Sequence, residues 1–390
     1  MTSLRPLVIE RGPTALDALP TLRRALEGEF AVLPYAAGTN PTTVPDGATP
    51  DEGTALVVGT SGSTGIPKLA MLPAGALQAS ADATHERLGG PGSWLLAMPA
   101  HHIAGVQVLL RCLAADTEPQ VMDLTGGFHP QAFAEAVASL PGQRRYTALV
   151  PTQLVRVLAD GGATRAAAEL DGVLVGGAAS SPSLLRRARA AGVRVVTTYG
   201  MSETSGGCVY DGMPLRCTAV RVDDDGRIQL GGDTLATGYL GRPDLTAHAF
   251  HRDDAGQRWF RTDDVGHQDE QGHWHVDGRL DDLIITGGLK VAPRVVEEAL
   301  VEHVAGVAEA VVVGIPDEEW GQVVCAAVTL ADHHHEPSVA DARGALRGIL
   351  PDHALPRQLL VLAALPLRGP GKPDRQAVRA ALVGRATMGS

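Results

Sequence analysis

Short β-branched and aliphatic runs alternate along the chain with stretches whose apolar positions recur every three to four residues. Residues 54–60 (TALVVGT), 93–99 (SWLLAMP), 146–151 (YTALVP), 172–177 (GVLVGG) and 194–200 (RVVTTYG) have the length and composition of buried strands. Residues 104–115, 129–140, 152–161 and 181–192 carry a helical period, the last opening on Ser181-Pro182, a side-chain cap followed by a proline at the first helical position. Alternation of this kind predicts parallel sheets flanked by helices. Residues 1–30 read as a loop leading into a helix over 15–30, and 38–53, rich in Pro, Gly and Thr, as a loop. From 208 to 280 the pattern shortens to strands separated by turn signals such as Asp-Gly, which predicts a β-rich subdomain of hairpins. Beyond Asp281 comes a small α+β unit: a hairpin-like piece, a helix over 293–304, strands at 309–316, 322–330 and 358–362, and a helix near 338–350. The expected fold class is thus a large α/β N-terminal domain over residues 1–280 and a small α+β C-terminal domain over 281–390.

Composition narrows the function classes. The chain has 390 residues, too many for one ordinary core, with 44% hydrophobic and 20% charged residues, the balance of a globular protein. It has no apolar stretch long enough to span a bilayer, and the start, MTSLRPLVIERGPT, lacks a signal-peptide core; the expected location is cytoplasmic, without membrane insertion. Four cysteines, Cys112, Cys208, Cys217 and Cys325, are widely spaced and fit a reducing compartment. The net charge of −11 disfavours a nucleic-acid partner. His333-His334-His335 lies in a polar stretch and reads as an exposed loop.

The basic residues are more informative. Of 33 Lys and Arg residues, only Lys68, Lys290 and Lys372 are lysine. Where arginine is so favoured, a surviving lysine marks a task suited to a compact ammonium rather than a planar guanidinium. Lys68 ends the segment Gly59-Thr60-Ser61-Gly62-Ser63-Thr64-Gly65-Ile66-Pro67-Lys68, directly after a predicted strand. Its glycines free the backbone to wrap an anion, and its hydroxyls can donate to phosphate oxygens. The spacing is not that of a Walker A loop, because Pro67 and not glycine precedes the lysine.

This segment resembles the signature of the adenylate-forming superfamily of acyl- and aryl-CoA synthetases, luciferases and adenylation domains, and further motifs follow in that superfamily's order: Gly176-Gly177-Ala178-Ala179, Tyr199-Gly200-Met201-Ser202-Glu203-Thr204, Gly238-Tyr239, Arg261-Thr262-Asp263-Asp264, Gly278-Arg279-Leu280-Asp281, Gly287-Gly288-Leu289-Lys290 and Gly371-Lys372-Pro373-Asp374-Arg375. The resemblance implies ATP binding by Thr60, Ser61, Gly62, Ser63, Thr64, Gly65, Lys68, Gly177, Tyr199, Gly200, Thr204, Asp264 and Arg279. It implies Mg²⁺ on Glu203, adenylation catalysis by Lys372, a hinge at Asp281, and CoA contacts at Gly287, Gly288 and Lys290. Asp263 stands where the superfamily motif has glycine, so Asp264 takes the ribose-binding place. The implied reaction has two steps: carboxylate plus ATP gives acyl-AMP and pyrophosphate, then a thiol gives the thioester.

The chain is short for this superfamily. With Pro99-Ala100-His101-His102-Ile103-Ala104-Gly105 and Val150-Pro151-Thr152-Gln153-Leu154, it resembles the o-succinylbenzoate–CoA ligases of menaquinone biosynthesis, of the actinobacterial type. That aromatic dicarboxylate needs a polar or positive partner for its second carboxylate, for which Gln153 and Arg156 are candidates, with His102 expected to line the acid pocket. The expected partners are a small carboxylic acid, ATP and CoA; a homodimer stays open. Two other readings stay open: a ligase for another acid or for a carrier-protein pantetheine, and a non-catalytic nucleotide-binding module.

Overall fold

The computed structural model describes residues 2–60, 68–331, 336–366 and 373–388. Four sheets organise them. In the first, Leu4–Ile9, Ala31–Ala36 and Thr54–Thr60 run parallel, and Lys68–Pro73 and then Gly238–Tyr239 add antiparallel. The second holds the predicted parallel core, in the order Val195–Met201, Gly172–Val175, Arg145–Leu149, Ser93–Leu96 and Gln120–Val121, with two antiparallel strands, Gly206–Tyr210 and Met213–Pro214, extending the far edge. The third, from Thr218–Val222 to Trp274–Arg279, is wholly antiparallel. The fourth belongs to the small C-terminal domain, where Val307–Asp317 and Gly321–Leu330 form its long central pair. The fold class is therefore the one expected, a large α/β N-terminal domain with a smaller C-terminal one, although its sheets are mixed rather than purely parallel.

The main departure is at the N-terminus. Residues 4–9, read as loop, form an edge strand beside Ala31–Ala36, which supplies the hydrogen-bonding partner that local sequence cannot reveal. The helix expected over 15–30 is shorter, a 3₁₀ turn at Pro13–Ala18 followed by Leu19–Leu26, because Pro20 cannot donate within a continuous helix. Two further helices, Ala74–Arg87 and Gly161–Ala168, lacked a readable stripe, since their buried faces are made largely of alanine and small polar residues rather than large aliphatic ones.

The helix Ile103–Ala115 shows why the two large sheets hold together. Val106, Val108, Leu109, Leu110 and Cys112 are all buried, so it is apolar nearly all round and packs inside one continuous core shared with both sheets. Gly105 permits its entry: a Cβ there would stand 2.3 Å from the carbonyl oxygen of Pro99. The same helix buries the Arg111 guanidinium, which lies 4.8 Å from the Trp94 ring centroid and donates to the Tyr210 hydroxyl at 3.4 Å. In the small domain the central pair is covered on one face by Pro293–His303 and Val339–Leu346, and on the other by Val378 and Leu382 of Arg375–Met388. The histidine run at 333–335 lies outside the described residues.

The buried His85 gives this core a pH dependence. Trp94 donates its indole N–H to His85 Nε2 at 3.3 Å, which requires that nitrogen to be unprotonated. Burial, reinforced by Arg111, pushes the imidazole from 6.5 down to about 4. The unfolded chain therefore takes up this proton first as pH falls, so the contribution is complete above pH 6.5 and is lost on the way to pH 4, by up to about 1.4 kcal/mol per pH unit. Chemical denaturation at pH 7, 6 and 5 should show a decline that His85→Gln makes shallower; an unchanged slope would assign the uptake to another group.

Candidate active site

The parallel strands of the second sheet end at Leu96, Leu149, Val175 and Met201, and at this carboxyl edge lies a cleft of about 1220 Å³. Crevices at the carboxyl ends of parallel strands are the usual ligand sites of such sheets, since loops there leave polar groups and helix starts facing one another. Lys68, Arg186, Arg189, Arg227, Arg261, Arg279 and Arg294 line it together with Glu203, Asp211, Asp263, Asp264, Asp269 and Glu298, and most of the arginines are paired with carboxylates, so in a chain of net charge −11 the cleft is nearly balanced in charge.

One wall comes from Val195–Met201. Tyr199 is nearly buried, and its hydroxyl donates to Asp264 Oδ2 at 2.7 Å. Burial, then the adjacent carboxylate, holds the phenol well above its usual range, so it stays protonated and serves as donor. Asp264 is itself pushed up by burial, while Tyr199 and then Arg279, whose Nη1 lies 3.5 Å from Oδ1, draw it back down. Asp263, where the motif has glycine, also faces Arg279, with Oδ2 to Nη2 at 3.5 Å, so the guanidinium bridges both aspartates. Gly200 permits the close approach behind Tyr199: a Cβ there would stand 2.1 Å from the Gly206 carbonyl oxygen.

Glu203 sits in the 3₁₀ turn Ser202–Thr204 that follows this strand and is 7% exposed. Its Oε1 accepts the Tyr239 hydroxyl at 2.8 Å. Burial raises the pKa of this carboxyl, with the Tyr239 hydrogen bond and then the Lys68 charge opposing it. Lys68 stands beside the same group, its Nζ 5.4 Å from the Tyr239 ring centroid. The next residue in the chain after the turn, Ser205, is left-handed with φ 55°, and is fixed by Gln107 Nε2 donating to its carbonyl at 2.7 Å and by its own hydroxyl donating to Thr234 O at 2.9 Å. Among the described residues no cluster of three or more His, Cys, Asp or Glu is arranged to hold a metal. The desolvated carboxylate of Glu203 nevertheless fits the donor chemistry of Mg²⁺, which takes one or two carboxylates and completes its shell with phosphate oxygens and water.

The structure brings Thr60, Lys68, His102, Gly177, Tyr199, Gly200, Glu203, Asp264 and Arg279 to this one cleft. Thr60 and Lys68 are paired across Thr54–Thr60 and Lys68–Pro73, so they frame the segment between them. Within it, Ser61, Gly62, Ser63, Thr64 and Gly65 lie outside the described residues, as does Lys372. Thr204 is fully buried, and its hydroxyl donates to the Gly206 carbonyl at 2.8 Å while accepting from Met201 N at 3.0 Å. Of the acid-binding candidates only His102 lines the cleft. Gln153 caps its own helix, accepting from Val150 N at 2.9 Å, and donates to Ala97 O at 2.8 Å; Arg156 is exposed and donates to Phe128 O at 3.4 Å. His102 and its ring neighbour His101, centroids 4.1 Å apart, are both shifted down by burial, His101 to about 4, so both are neutral at pH 7. Asp281 is exposed in the 3₁₀ turn Leu280–Asp282. Gly287, Gly288 and Lys290 do not line the cleft: Gly287 N donates to Trp320 O at 2.9 Å, and Lys290 pairs with Asp225 at 3.1 Å.

Sequence reasoning gave no role to Tyr239, which positions Glu203, or to Arg294 and Glu298, which bring the small domain to the cleft. The Gly238-Tyr239 pair was a readable signal for the first. Nothing local marks the other two, because only the packing of Pro293–His303 turns them inward.

The Tyr199–Asp264 bond makes a pH-dependent prediction. Asp264 must be ionised to accept hydroxyl donors, and Tyr199 is the first influence holding its pKa down against burial. Tyr199→Phe keeps the ring but removes that donor, so the acidic limb of the ATP-dependent pyrophosphate-release profile should move to higher pH. Loss of a hydrogen bond to a charged group costs about 1.5–3 kcal/mol, which predicts an ATP KM roughly 10- to 100-fold higher at neutral pH. An unmoved acidic limb would remove Asp264 from nucleotide binding.

Residues 9–240 match the family described as AMP-binding enzyme, and residues 295–372 match the AMP-binding enzyme C-terminal domain. A Mycobacterium tuberculosis protein named probable 2-succinylbenzoate–CoA ligase is 44% identical over 98% of this chain and 100% of its own length. A 2-succinylbenzoate–CoA ligase of Geobacillus is 31% identical over 80% of this chain and 66% of its own. Among solved structures, the amide bond synthetase McbA of Marinactinospora thermotolerans superposes with a TM-score of 0.76 at 26% identity, covering 97% of this chain and 90% of that one. The o-succinylbenzoate–CoA synthetase of Bacillus subtilis, solved with its acyl-adenylate intermediate, superposes with a TM-score of 0.75 at 21% identity, covering 97% and 88%, and supports the fold. With both its larger and smaller parts matched and a relative aligned from end to end, the chain belongs to the AMP-binding enzyme family.

Proposed function

We propose that this chain is an AMP-forming acid–thiol ligase that converts o-succinylbenzoate to o-succinylbenzoyl-CoA in menaquinone biosynthesis, acting in the cytoplasm. The observation that carries the acid assignment is the end-to-end identity of 44% with a protein named for that reaction. No described helix is long and apolar enough to cross a membrane.

The chemistry must bring a carboxylate to a triphosphate although both are anions. Cationic groups at the cleft, Lys68 and Arg227 among them, offset that repulsion, and holding both reactants there lowers the entropic cost of their encounter. In the first step a carboxylate oxygen attacks the α-phosphorus, the bond to the β-phosphate oxygen breaks, and pyrophosphate leaves. Asp264, held by Tyr199 and Arg279, accepts the ribose hydroxyls, and the Tyr199 ring and Gly177 border the base. Thr60, the segment 61–65 and Lys68 serve the phosphates, whereas Thr204, expected to join them, is buried with its hydroxyl taken by the backbone. Glu203 would hold Mg²⁺, which when bound neutralises charge on the phosphate oxygens. Lys372 supplies a cation at the α-phosphate and leaving group. In the second step the CoA thiol attacks the acyl carbon, and AMP departs with the oxygen that came from the acid. Residues 281–390 reorient about Asp281 between the steps, withdrawing Lys372 and bringing Gly287, Gly288 and Lys290 to the pantetheine arm.

His102 is the acid-side contact. It is neutral at pH 7, so it meets a carboxylate as a hydrogen-bond donor rather than as a counter-ion. Gln153 acts one step back, tying the start of Pro151–Leu158 to Ala97.

The test is pyrophosphate release over a panel of acids, with and without CoA. o-Succinylbenzoate should exceed benzoate and medium-chain fatty acids at least tenfold, and thioester should form with free CoA. Preference for a fatty acid would overturn the acid assignment, and release that no acid stimulates would overturn the ligase reading.

A further inference from the structure

Arg375 is the first residue of the helix Arg375–Met388, yet its side chain points away from solvent into a charged junction. Its Nη1 donates to Glu297 Oε1 at 2.6 Å and to the Val312 carbonyl at 2.6 Å, and its Nη2 to Glu297 Oε2 at 3.3 Å. Glu297 is itself fixed, since Oε1 also accepts from Val312 N at 2.8 Å. The fourth contact differs in kind. Arg375 Nε lies 3.5 Å from Asp282 Oδ2, and Asp282 belongs to the turn Leu280–Asp282, between the two domains. One guanidinium thus joins the start of the last helix to Pro293–His303, to Val307–Asp317 and to that turn.

The chain just before Arg375 is fixed as well. Asp374 N donates to Pro366 O at 2.8 Å, and Asp374 Oδ1 accepts from Gln376 N and Ala377 N at 3.1 and 3.0 Å. Lys372 lies three positions before Arg375 in sequence. The Glu297 and Val312 contacts lie within the small domain and travel with it. The Asp282 contact depends on the backbone of the turn, so any reorientation there changes whether this carboxylate meets the guanidinium. At 3.5 Å it is longer than a close charge-assisted bond and is readily exchanged.

We propose that Arg375 is a positioning residue that fixes the foot of the Lys372 segment to the inter-domain turn, through Glu297 and Asp282, and so aligns Lys372 for the adenylation step. The inference rests on the reading of Lys372 as the adenylation cation. A guanidinium is required, since its planar fork serves Glu297, Val312 and Asp282 at once and an ammonium cannot. A misplacement of about 1 Å in an aligned group can cost on the order of 10² in rate, whereas a residue that touches no substrate leaves substrate binding alone.

The test measures the two half-reactions separately on the full chain, pyrophosphate release from acid and ATP, and thioester formation from prepared acyl-adenylate and CoA. Arg375→Lys should lower kcat for the first at least tenfold with KM for ATP and acid within about twofold, and leave the second within about twofold. Asp282→Asn, at a half-exposed turn outside any core, should shift the first in the same direction, about threefold or more, and it carries the test should Arg375→Lys not fold. On a Lys372→Ala background, Arg375→Lys should cause no further loss of adenylation, because it acts through that lysine. Equal loss of both half-reactions, or a multiplicative loss on the Lys372→Ala background, would overturn the proposal. If Lys372→Ala abolishes adenylation while Arg375→Lys and Asp282→Asn retain it, the positioning role alone falls. If Lys372→Ala itself retains adenylation, the reading of Lys372 falls with it.

Discussion

The cleft depends on a hydrogen bond between two side chains 65 residues apart in sequence, the Tyr199 hydroxyl and Asp264 Oδ2, at 2.7 Å. Tyr199 ends a parallel strand of the second sheet and Asp264 lies in the long strand Arg258–Gln268 of the antiparallel third sheet. Their contact closes one side of the space between those sheets. Burial protects the phenol proton and raises the carboxyl's affinity for one, so the pair works as donor and acceptor only while Asp264 keeps its charge, which Arg279 on the next strand helps it do. A Glu203–Tyr239 pair repeats the device on the other side, joining the turn after the same strand to the edge of the first sheet at 2.8 Å. Two phenol–carboxylate bonds therefore staple three sheets around one cleft, each leaving a desolvated carboxylate at its lining.

This arrangement lessens the repulsion that an acidic protein presents to an anion. The chain carries a net charge of −11, whereas at the cleft Lys and Arg side chains nearly balance the carboxylates, Glu203 is engaged by a phenol, and Asp264 by a phenol and a guanidinium. Field strength inside a partly enclosed, low-dielectric cleft is set by near groups, not by distant surface charge. Around this fixed framework the small domain contributes Arg294 and Glu298 at the cleft and holds its own core on both faces of an independent sheet. A large domain and a separately cored small one meet at an exposed turn, which is the arrangement that the proposed reorientation about Asp281 requires.

Much of this was legible in the chain itself. The runs at 54–60 and 172–177 read as strands because a strand buried on both faces has no polar alternation to confuse it, and 194–200 reads as one from its β-branched Val and Thr residues although most of that strand is half-buried. Tyr199, Glu203, Asp264 and Arg279 could be singled out because they stand in motifs that resemble the superfamily's in order, and all four line the one cleft. Long-range pairing was not legible. Leu4–Ile9 becomes a strand only beside Ala31–Ala36, and Gln153, whose amide could have served a ligand, is taken up by the backbone at Val150 and Ala97. The acid side of the cleft resists local reading for the same reason: His102 faces the cleft and Arg156 does not, a difference set by how two helices pack and not by either residue's neighbours in sequence.

The central claim is that this cleft activates a carboxylate by transfer of AMP. Mass spectrometry of products from o-succinylbenzoate labelled with ¹⁸O in its carboxylates, incubated with ATP, Mg²⁺ and CoA, tests it directly. Attack of the carboxylate on the α-phosphorus, followed by thiol attack on the acyl carbon, leaves one acid-derived oxygen on the phosphate of AMP. The account predicts AMP carrying one ¹⁸O and unlabelled pyrophosphate. Unlabelled AMP, or label in inorganic phosphate with ADP as the nucleotide product, would contradict it.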